Sequence, residues 1–261
     1  MIRVGTSGFS YSDWEGPFYP EGLPDRDKLA FYAQEFDTVE INYSFYKVPT
    51  AQTLEAMADK TPPGFLFAIK AHREMTHERE DTETVAARFR EALTPWIERD
   101  CLACILLQFP PSFHCTPENL DVLRSLRERL EGLPTVAEFR HVCWVSGRVF
   151  QQLRQLDMGI CCVDQPRLTS LLPPFGVTTS DIAYVRLHGR NAAKWWDHDE
   201  AWERYDYSYS REELEPWAVK AREMATKARL TLLYANNHWV GQAVDTARQL
   251  KLLLGLEGKA P

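Results

Sequence analysis

Short apolar runs alternate with helical patterns along the whole chain. Each run is rich in Val, Ile, Leu, Phe or Cys and lacks a clear polar face until its end, which is typical of strands buried on both faces in a parallel sheet. The predicted strands cover residues 2–7, 38–43, 65–71, 102–109, 135–140, 159–164, 182–189 and 230–237.

Most of the strands are followed by a segment with the spacing of an amphipathic helix. Thr116 before Pro117 has the character of a helix cap followed by proline at the first helical position. The predicted helices cover residues 27–36, 51–60, 82–100, 117–130, 146–157, 211–228 and 240–256.

Eight strands separated by helices predict a TIM-type (β/α)8 barrel formed by residues 1–261 as a single domain. A proline-rich segment over 166–180 replaces or distorts helix 6, and a long polar-aromatic loop follows strand 7 at roughly 190–210. A doubly wound open sheet is the alternative. However, GTSGFS after the first strand does not match the dinucleotide fingerprint, and no P-loop is present.

Composition narrows the function classes. Of the 261 residues, 44% are hydrophobic and 26% are charged, and the formal net charge is −7. This acidic balance disfavours non-specific nucleic-acid binding but leaves room for a local basic pocket. The first residues have no secretory signal pattern, and no apolar run is long enough to span a membrane. We therefore expect a cytoplasmic protein with its cysteines reduced, including Cys101 and Cys104 of the CLAC stretch.

The predicted strands turn polar only at their last residues. Glu40 and Asn42 end the second strand, and Arg186 and His188 end the seventh. Because side chains alternate along a strand, each pair shares one face. Charges facing the helices would be costly without partners, whereas charges inside the top of a barrel can pair with one another and with a ligand. The strand ends therefore predict a shared polar pocket at the C-terminal face.

The pocket candidates form two groups. The predicted catalytic residues are Glu40, Glu138 and His188. The predicted ligand-binding residues are amides, cations, imidazoles, an acid and a phenol: Asn42, Tyr46, Lys70, His77, Gln108, Arg140, Asp164, Arg186, Asn236, Asn237 and His238.

Arginine forks suit phosphate or carboxylate groups, and barrels often bind phosphate after strands seven and eight. The leading hypothesis is therefore a small anionic ligand, phosphorylated or carboxylated. Glu40 or Glu138 would act as general base and His188 as acid or oxyanion partner, in an isomerase, lyase or hydrolase. Lys70 offers a Schiff base as a further option, although a lysine near acids is more often an ion-pair cation.

Three alternatives stay open at this stage. A divalent metal would be held by convergence of Glu40, Glu138, Asp164, His188 and His238, without a local ligand motif. A nucleic-acid-binding module would use the basic pocket and the loop aromatics without turnover. A barrel whose pocket only stabilises the fold would have neither activity. The sequence does not assign a substrate, an oligomeric state or catalysis itself.

Several stretches at the strand ends carry a resemblance to a known family. They are GTSGFSYSDWEGPFYP, VEINYSFYKVP, FAIKAHREMTH, LLQFPPSF, AEFRHVCW, VRLHG and YANNHWVGQA. Together and in this order they resemble the YecE-like family, domain of unknown function 72. The resemblance implies a TIM-barrel fold and a pocket, without a known reaction. Phe9 and Cys143 depart from the family pattern and leave the polar positions intact. A broader likeness to barrel sugar isomerases and abasic-site nucleases concerns the fold alone.

Overall fold

A computed structural model describes residues 1–256 of the chain. All eight predicted strands are present and pair in parallel in one sheet of order β1-β8-β7-β6-β5-β4-β3-β2, so that β1 and β2 meet and nearly close a barrel. The strands are β1 Ile2–Thr6, β2 Thr38–Ile41, β3 Leu66–Lys70, β4 Leu102–Gln108, β5 Thr135–Glu138, β6 Met158–Asp164, β7 Ile182–Leu187 and β8 Leu230–Ala235. The predicted TIM-type fold is confirmed.

Helices cover the outside of the barrel. They are α1 Asp25–Glu35, α2 Ala51–Ala58, α3 Thr82–Ala92, α4 Thr94–Glu98, α5 Pro117–Arg129, α6 Gly147–Gln155, α7 Arg211–Ala225 and α8 Gln242–Leu254. The Thr116 cap is confirmed, since its hydroxyl accepts from the Asn119 N–H at 3.3 Å. Between helices and strands lies a dense apolar layer, in which Trp96 of α4 stacks on Phe67 of β3 with ring centroids 4.3 Å apart.

The backbone hydrogen bonding between β1 and β2 is incomplete, and the Tyr32 side chain bridges the two strands. The Thr6 N–H donates to the Tyr32 hydroxyl at 2.9 Å, and that hydroxyl donates to the Thr38 carbonyl at 3.1 Å. A Cβ on Gly5 would lie 2.2 Å from the same Thr38 carbonyl oxygen. Only glycine therefore allows the two strands to approach closely enough to close the barrel.

One predicted segment differs in detail, and two others are confirmed. The helix predicted over 82–100 is divided into α3 and α4, because Pro95 lacks an N–H and its ring disfavours continuation of the preceding helix. The segment after β6 contains no helix over 165–181, as its prolines predicted. The loop after β7 runs to Ser210 and contains one short 3-10 turn, Ala201–Tyr205.

The cysteines and helices agree with the compositional expectations. All six cysteines are free thiols, and Cys101, Cys104, Cys161 and Cys162 are buried. Within residues 1–256, none of the helices combines the length and apolar character needed to cross a membrane.

Candidate functional site

Parallel pairing brings the C-terminal ends of all eight strands to one mouth. Just inside it, Arg186 lies between two acids: its Nη1 donates to Glu138 Oε2 at 2.6 Å and its Nη2 donates to Glu40 Oε1 at 2.8 Å. The Tyr184 hydroxyl donates to the other Glu40 oxygen at 2.6 Å. Arg140 Nη2 lies 2.7 Å from Glu138 Oε1. With His188 and Asn236, these residues form the interior cluster.

The interior cluster is held by buried charge pairing. Glu40 and Glu138 are completely buried, and Arg186 is 3% exposed. Burial alone would raise the pKa of Glu138, but the neighbouring Arg140 and Arg186 hold the pKa of this carboxyl well below its usual range. Glu138 is therefore ionised at neutral pH and is a weak proton acceptor.

His188 is neutral and its tautomer follows from its partners. The Asn236 amide nitrogen lies 2.8 Å from His188 Nδ1, so Nδ1 accepts from this donor. The proton is then on Nε2, which lies 3.2 Å from Glu138 Oε1 and donates to it. Burial and the charge of Arg140 lower the pKa of His188 to about 3. The imidazole thus has both nitrogens engaged and carries no proton suited to general acid catalysis near neutral pH.

Lys70 differs from the two arginines because no carboxylate within residues 1–256 accepts from it. Its ammonium lies 4.0 Å from the centroid of the Phe45 ring. The Ser44 hydroxyl donates to the Lys70 carbonyl at 2.6 Å and holds the backbone of the strand end. Burial, together with the charges of Arg186 and Arg140, lowers the pKa of Lys70 to about 7, against the opposing charges of Glu138 and Glu40. The Lys70 amine therefore titrates near neutral pH.

The two sides of the mouth have different coverings. On the side of β7, β8 and β1, the rings of Trp195 and Tyr205 lie 6.4 and 6.5 Å from the His188 ring. Tyr11 stacks on His238 at 4.6 Å, and burial lowers the pKa of His238. This side is therefore roofed by aromatic rings from the loops after β1, β7 and β8.

On the side of β2, β3 and β5, polar groups reach the solvent. Lys70, Arg140, Asn42 and His77 are all partly exposed there. His77 lies on a π-helical turn, Glu74–Glu78, and its ring packs edge-on against Phe45 at 4.8 Å. Burial lowers the pKa of His77 to about 4, with the charges of Lys70 and Arg140 adding to the effect. We call Asn42, Phe45, Lys70, His77 and Arg140 the cationic rim.

Two predicted site residues point away from the mouth. Asp164 accepts from both nitrogens of the Arg190 fork at 2.8 Å each and from Trp217 Nε1 of α7 at 2.6 Å. Asn237 donates to the Thr246 hydroxyl of α8 at 2.9 Å. Each lies one residue beyond an inward-facing neighbour, so the period of two directs it toward the helices. The structure therefore does not bring these two side chains into the interior cluster.

Two further predicted ligand-binding residues, Gln108 and Tyr46, lie apart from the interior cluster. Gln108 is buried and donates to the Phe109 carbonyl at 2.7 Å, so its amide is used at the strand end. Tyr46 is 74% exposed and touches Phe45 rather than the interior cluster. Within residues 1–256, neither side chain makes a hydrogen bond or an ion pair with the interior cluster.

The proposed metal ligands do not converge. Asp164 faces α7, and Glu138 is occupied by two arginines. Across residues 1–256 no group of three or more His, Cys, Asp or Glu side chains is placed to hold a metal ion. The expected five-residue donor set is therefore not assembled by this fold.

Several residues of the site were missed by the sequence prediction. Tyr184 precedes Arg186 and His188 at the same two-residue spacing, so the alternation signal was present and not used. The Cys161 sulfur lies 3.9 Å from Glu138 Oε2. Cys161 belongs to an apolar strand, so the sequence gives no sign of this polar contact. Tyr11 reaches the mouth through a loop, for which strand periodicity carries no information, whereas Trp195 and Tyr205 were already among the loop aromatics considered for packing or stacking.

Comparisons with known proteins agree with this architecture. The family model described as "Protein of unknown function DUF72" matches residues 3–261. The UPF0759 protein YunF of Bacillus subtilis (strain 168) is 31% identical over 281 residues, covering 100% of this chain and 98% of that protein.

Two solved structures share the fold over nearly their full length. A DUF72 family protein of Thermotoga maritima has 37% identity and a TM-score of 0.90, covering 98% of this chain and 99% of that one. A DUF72 family protein of Enterococcus faecalis V583 has 25% identity and a TM-score of 0.89, covering 100% of this chain and 98% of that one. The resemblance at the strand ends is thereby confirmed, and the chain belongs to the DUF72 family.

Proposed function

We propose that this protein binds a small anionic molecule, phosphorylated or carboxylated, at the cationic rim of the barrel mouth. The observation that carries the proposal is Lys70, whose partly buried ammonium has an aromatic ring beside it and no carboxylate partner within residues 1–256. A cation withdrawn from water without a counter-ion is costly, and a bound anion would supply the missing partner.

The charges around Lys70 support an anion rather than a cation as ligand. Glu40 and Glu138 are the acids of the interior cluster, and their four oxygens accept from Tyr184, Arg140, His188 and both ends of Arg186. Against these two negative charges stand Arg186, Arg140 and protonated Lys70. The cluster therefore carries one surplus positive charge when Lys70 is protonated.

The anion position differs from the usual one in barrels. The sequence suggested the ends of strands seven and eight, but there the mouth is roofed by Trp195 and Tyr205. The surplus cations lie instead near β3 and β5, where Arg140 Nε has no hydrogen-bond partner among the described residues. We place the anion between Lys70 and Arg140, within reach of His77.

If the protein is an enzyme, the site contains a candidate acid–base group. Acid–base chemistry in an isomerase, lyase or hydrolase needs a group that exchanges a proton near neutral pH. The pKa of Glu138 is too low and His188, with a pKa of about 3, is neutral and fully hydrogen-bonded. Lys70, with a pKa of about 7, meets the requirement better than Glu138 or His188.

Thermal unfolding with and without ligands tests the proposal. Sulfate, phosphate, and a panel of phosphorylated and carboxylated metabolites are added at pH 6.5 to wild type and to Lys70→Met. A ligand at about one hundred times its Kd stabilises by about 2.7 kcal/mol, or roughly 5 °C for a chain of this size. Lys60→Met, an exposed charge loss at the end of α2, is the matched control. Equal shifts in all three proteins would refute binding at the rim.

A second candidate is the capture of a single-stranded nucleic acid at the same mouth. It is favoured by exposed rings on the loops after β2 and β7: Tyr43, Tyr46 and Trp196 are 42%, 74% and 53% exposed. Such rings are suited to stacking on bases. Fluorescence anisotropy of a labelled oligonucleotide at low salt, with Trp196→Ala, tests it. No binding at low salt, where phosphate contacts are strongest, refutes it.

A further inference from the structure

Three features of Lys70 together determine its chemistry. Its ammonium is unpaired with acid within residues 1–256, it lies on the Phe45 ring, and two arginine charges stand beside it. The Ser44 hydroxyl holds its carbonyl at 2.6 Å, and Lys70 is the last residue of β3, so its position is set by the rigid barrel. The side chain is nevertheless partly exposed and accessible from the mouth.

The acids that would normally keep such a lysine protonated are already occupied. Glu138 accepts from Arg140 at 2.7 Å and from Arg186 at 2.6 Å, and Glu40 accepts from Arg186 at 2.8 Å. The arginines thus neutralise the acids and at the same time repel a proton on the Lys70 amine. This arrangement, with a desolvated amine beside cationic groups, is the one that activates lysines as nucleophiles.

We propose that the Lys70 amine forms an imine with an anionic aldehyde or ketone, whose anionic group is held beside Arg140. The inference rests on the proposed anion site and names the class of its ligand as anionic carbonyl compounds. Burial lowers the pKa of Lys70 to about 7, so about half of the amine is neutral at neutral pH.

The step balances without any further reagent. The neutral amine nitrogen attacks the carbonyl carbon, a C–N bond forms, and the C=O π electrons move to oxygen. A proton passes from nitrogen to that oxygen, giving a carbinolamine. Loss of the hydroxyl with one more proton from nitrogen releases water and leaves the C=N bond. The net change is amine plus carbonyl to imine plus water.

Reductive trapping tests the inference. The protein is incubated at pH 7 with glyoxylate, an anionic aldehyde, or with acetaldehyde as the uncharged control, in the presence of cyanoborohydride. Reduction of the imine leaves a secondary amine heavier by the mass of the aldehyde less one oxygen atom. Peptide mapping then compares Lys70 with Lys194, a partly exposed lysine paired with Glu203 at 2.6 Å in the same chain.

We expect glyoxylate to label Lys70 at least about tenfold faster than Lys194, because far more of the Lys70 amine is neutral. Labelling should rise with pH and level off above about 7, and acetaldehyde should label Lys70 more slowly than glyoxylate does. Lys70→Arg should lose the labelled peptide and keep its thermal shift with sulfate.

The outcomes separate this inference from the proposed function. Lys70 labelled no faster than Lys194, with the sulfate shift intact, overturns the imine and leaves the anion site standing. Lys70 labelled rapidly and equally by both aldehydes, with no sulfate shift, supports a reactive amine and overturns the anionic class of ligand. Slow labelling with no sulfate shift overturns both.

Discussion

Two clusters that each pair a carboxylate with arginine lie at the same end of this barrel, on opposite faces of its strands. The interior cluster centres on Glu138 and Arg186. The outer cluster consists of Asp164, Arg190, Tyr209, Glu213 and Trp217, between β6 and α7. Both are largely buried and both are built around an acid near a strand end.

The outer cluster is closed on itself. Each oxygen of Asp164 accepts two hydrogen bonds: Oδ1 from Arg190 and Tyr209, and Oδ2 from Arg190 and Trp217. Arg190 also donates to Glu213 at 2.9 Å. Its donors and acceptors are matched, so nothing in it calls for a ligand, and its effect is to hold α7 and the loop after β7 against the barrel.

The interior cluster is not closed on itself. The Nε atoms of Arg186 and Arg140 have no partner within residues 1–256, and Lys70 adds a positive charge with no acid to accept from it. Acid–arginine pairing by itself therefore does not mark a site. Surplus charge and unmatched buried donors near the barrel mouth distinguish a candidate binding site from a structural network.

The largest expected effect is on the stability of the interior cluster. Arg186→Met removes the cation shared by Glu40 and Glu138 and should lower the free energy of unfolding by about 3–5 kcal/mol at pH 7.5, because two buried carboxylates lose their partner. Urea unfolding measures it. Adding Glu40→Gln and Glu138→Gln to Arg186→Met should restore part of the loss. A loss below about 1 kcal/mol would show that the network is not held by this arginine.

The next effect separates the two clusters. Asp164→Asn should lower the free energy of unfolding by about 2–3 kcal/mol, since the donors of Tyr209 and Trp217 lose a charged acceptor while the partly exposed Arg190 regains water. The affinity for sulfate at the rim should stay within about twofold of wild type. If Asp164→Asn weakened sulfate binding as well as stability, the outer cluster would be part of the anion site and not a separate structural network.

The smallest effect is a pH dependence confined to the rim. Sulfate keeps its charge over this range and needs the protonated form of Lys70, whose pKa is about 7 in the free protein. Below that pKa the affinity should be constant. Above it, binding must also take up a proton, so the affinity should fall by up to about tenfold, or 1.4 kcal/mol, per pH unit.

Isothermal titration calorimetry between pH 6 and 8.5 measures this dependence. Lys70→Arg is the control, because arginine stays protonated throughout and should bind sulfate with a nearly constant affinity. An affinity that is flat for wild type, or that falls equally in Lys70→Arg, would assign the titration to another group and remove Lys70 from the anion site.

Much of the architecture was readable from local pattern. The apolar runs and helical spacings predicted all eight strands, and the prolines after β6 predicted the missing helix. The shared faces of Glu40, Glu138, Arg186 and His188 were also implied by the period of two, and the fold does bring these four side chains into one cluster.

Alternation could not say which face of each strand was the inner one. Val163 and Asp164 are neighbours on β6, and Asn236 and Asn237 are neighbours after β8. In each pair one residue faces the barrel interior and the other the helices. Because these strands are apolar on both faces, no polar stripe marks the outside, and the predicted pocket included Asp164 and Asn237, whose side chains face the helices.

By itself, then, the sequence determined the order of strands and helices, the end of the barrel where polar groups collect, and the family, because all three depend on residues near one another in the chain. The tertiary structure alone decided which acid pairs with which arginine, and that Lys70 is left over. Hydrogen bonds and Coulomb attraction between such groups act over a few ångströms, whereas Arg186 is separated from Glu40 by 146 positions and from Glu138 by 48.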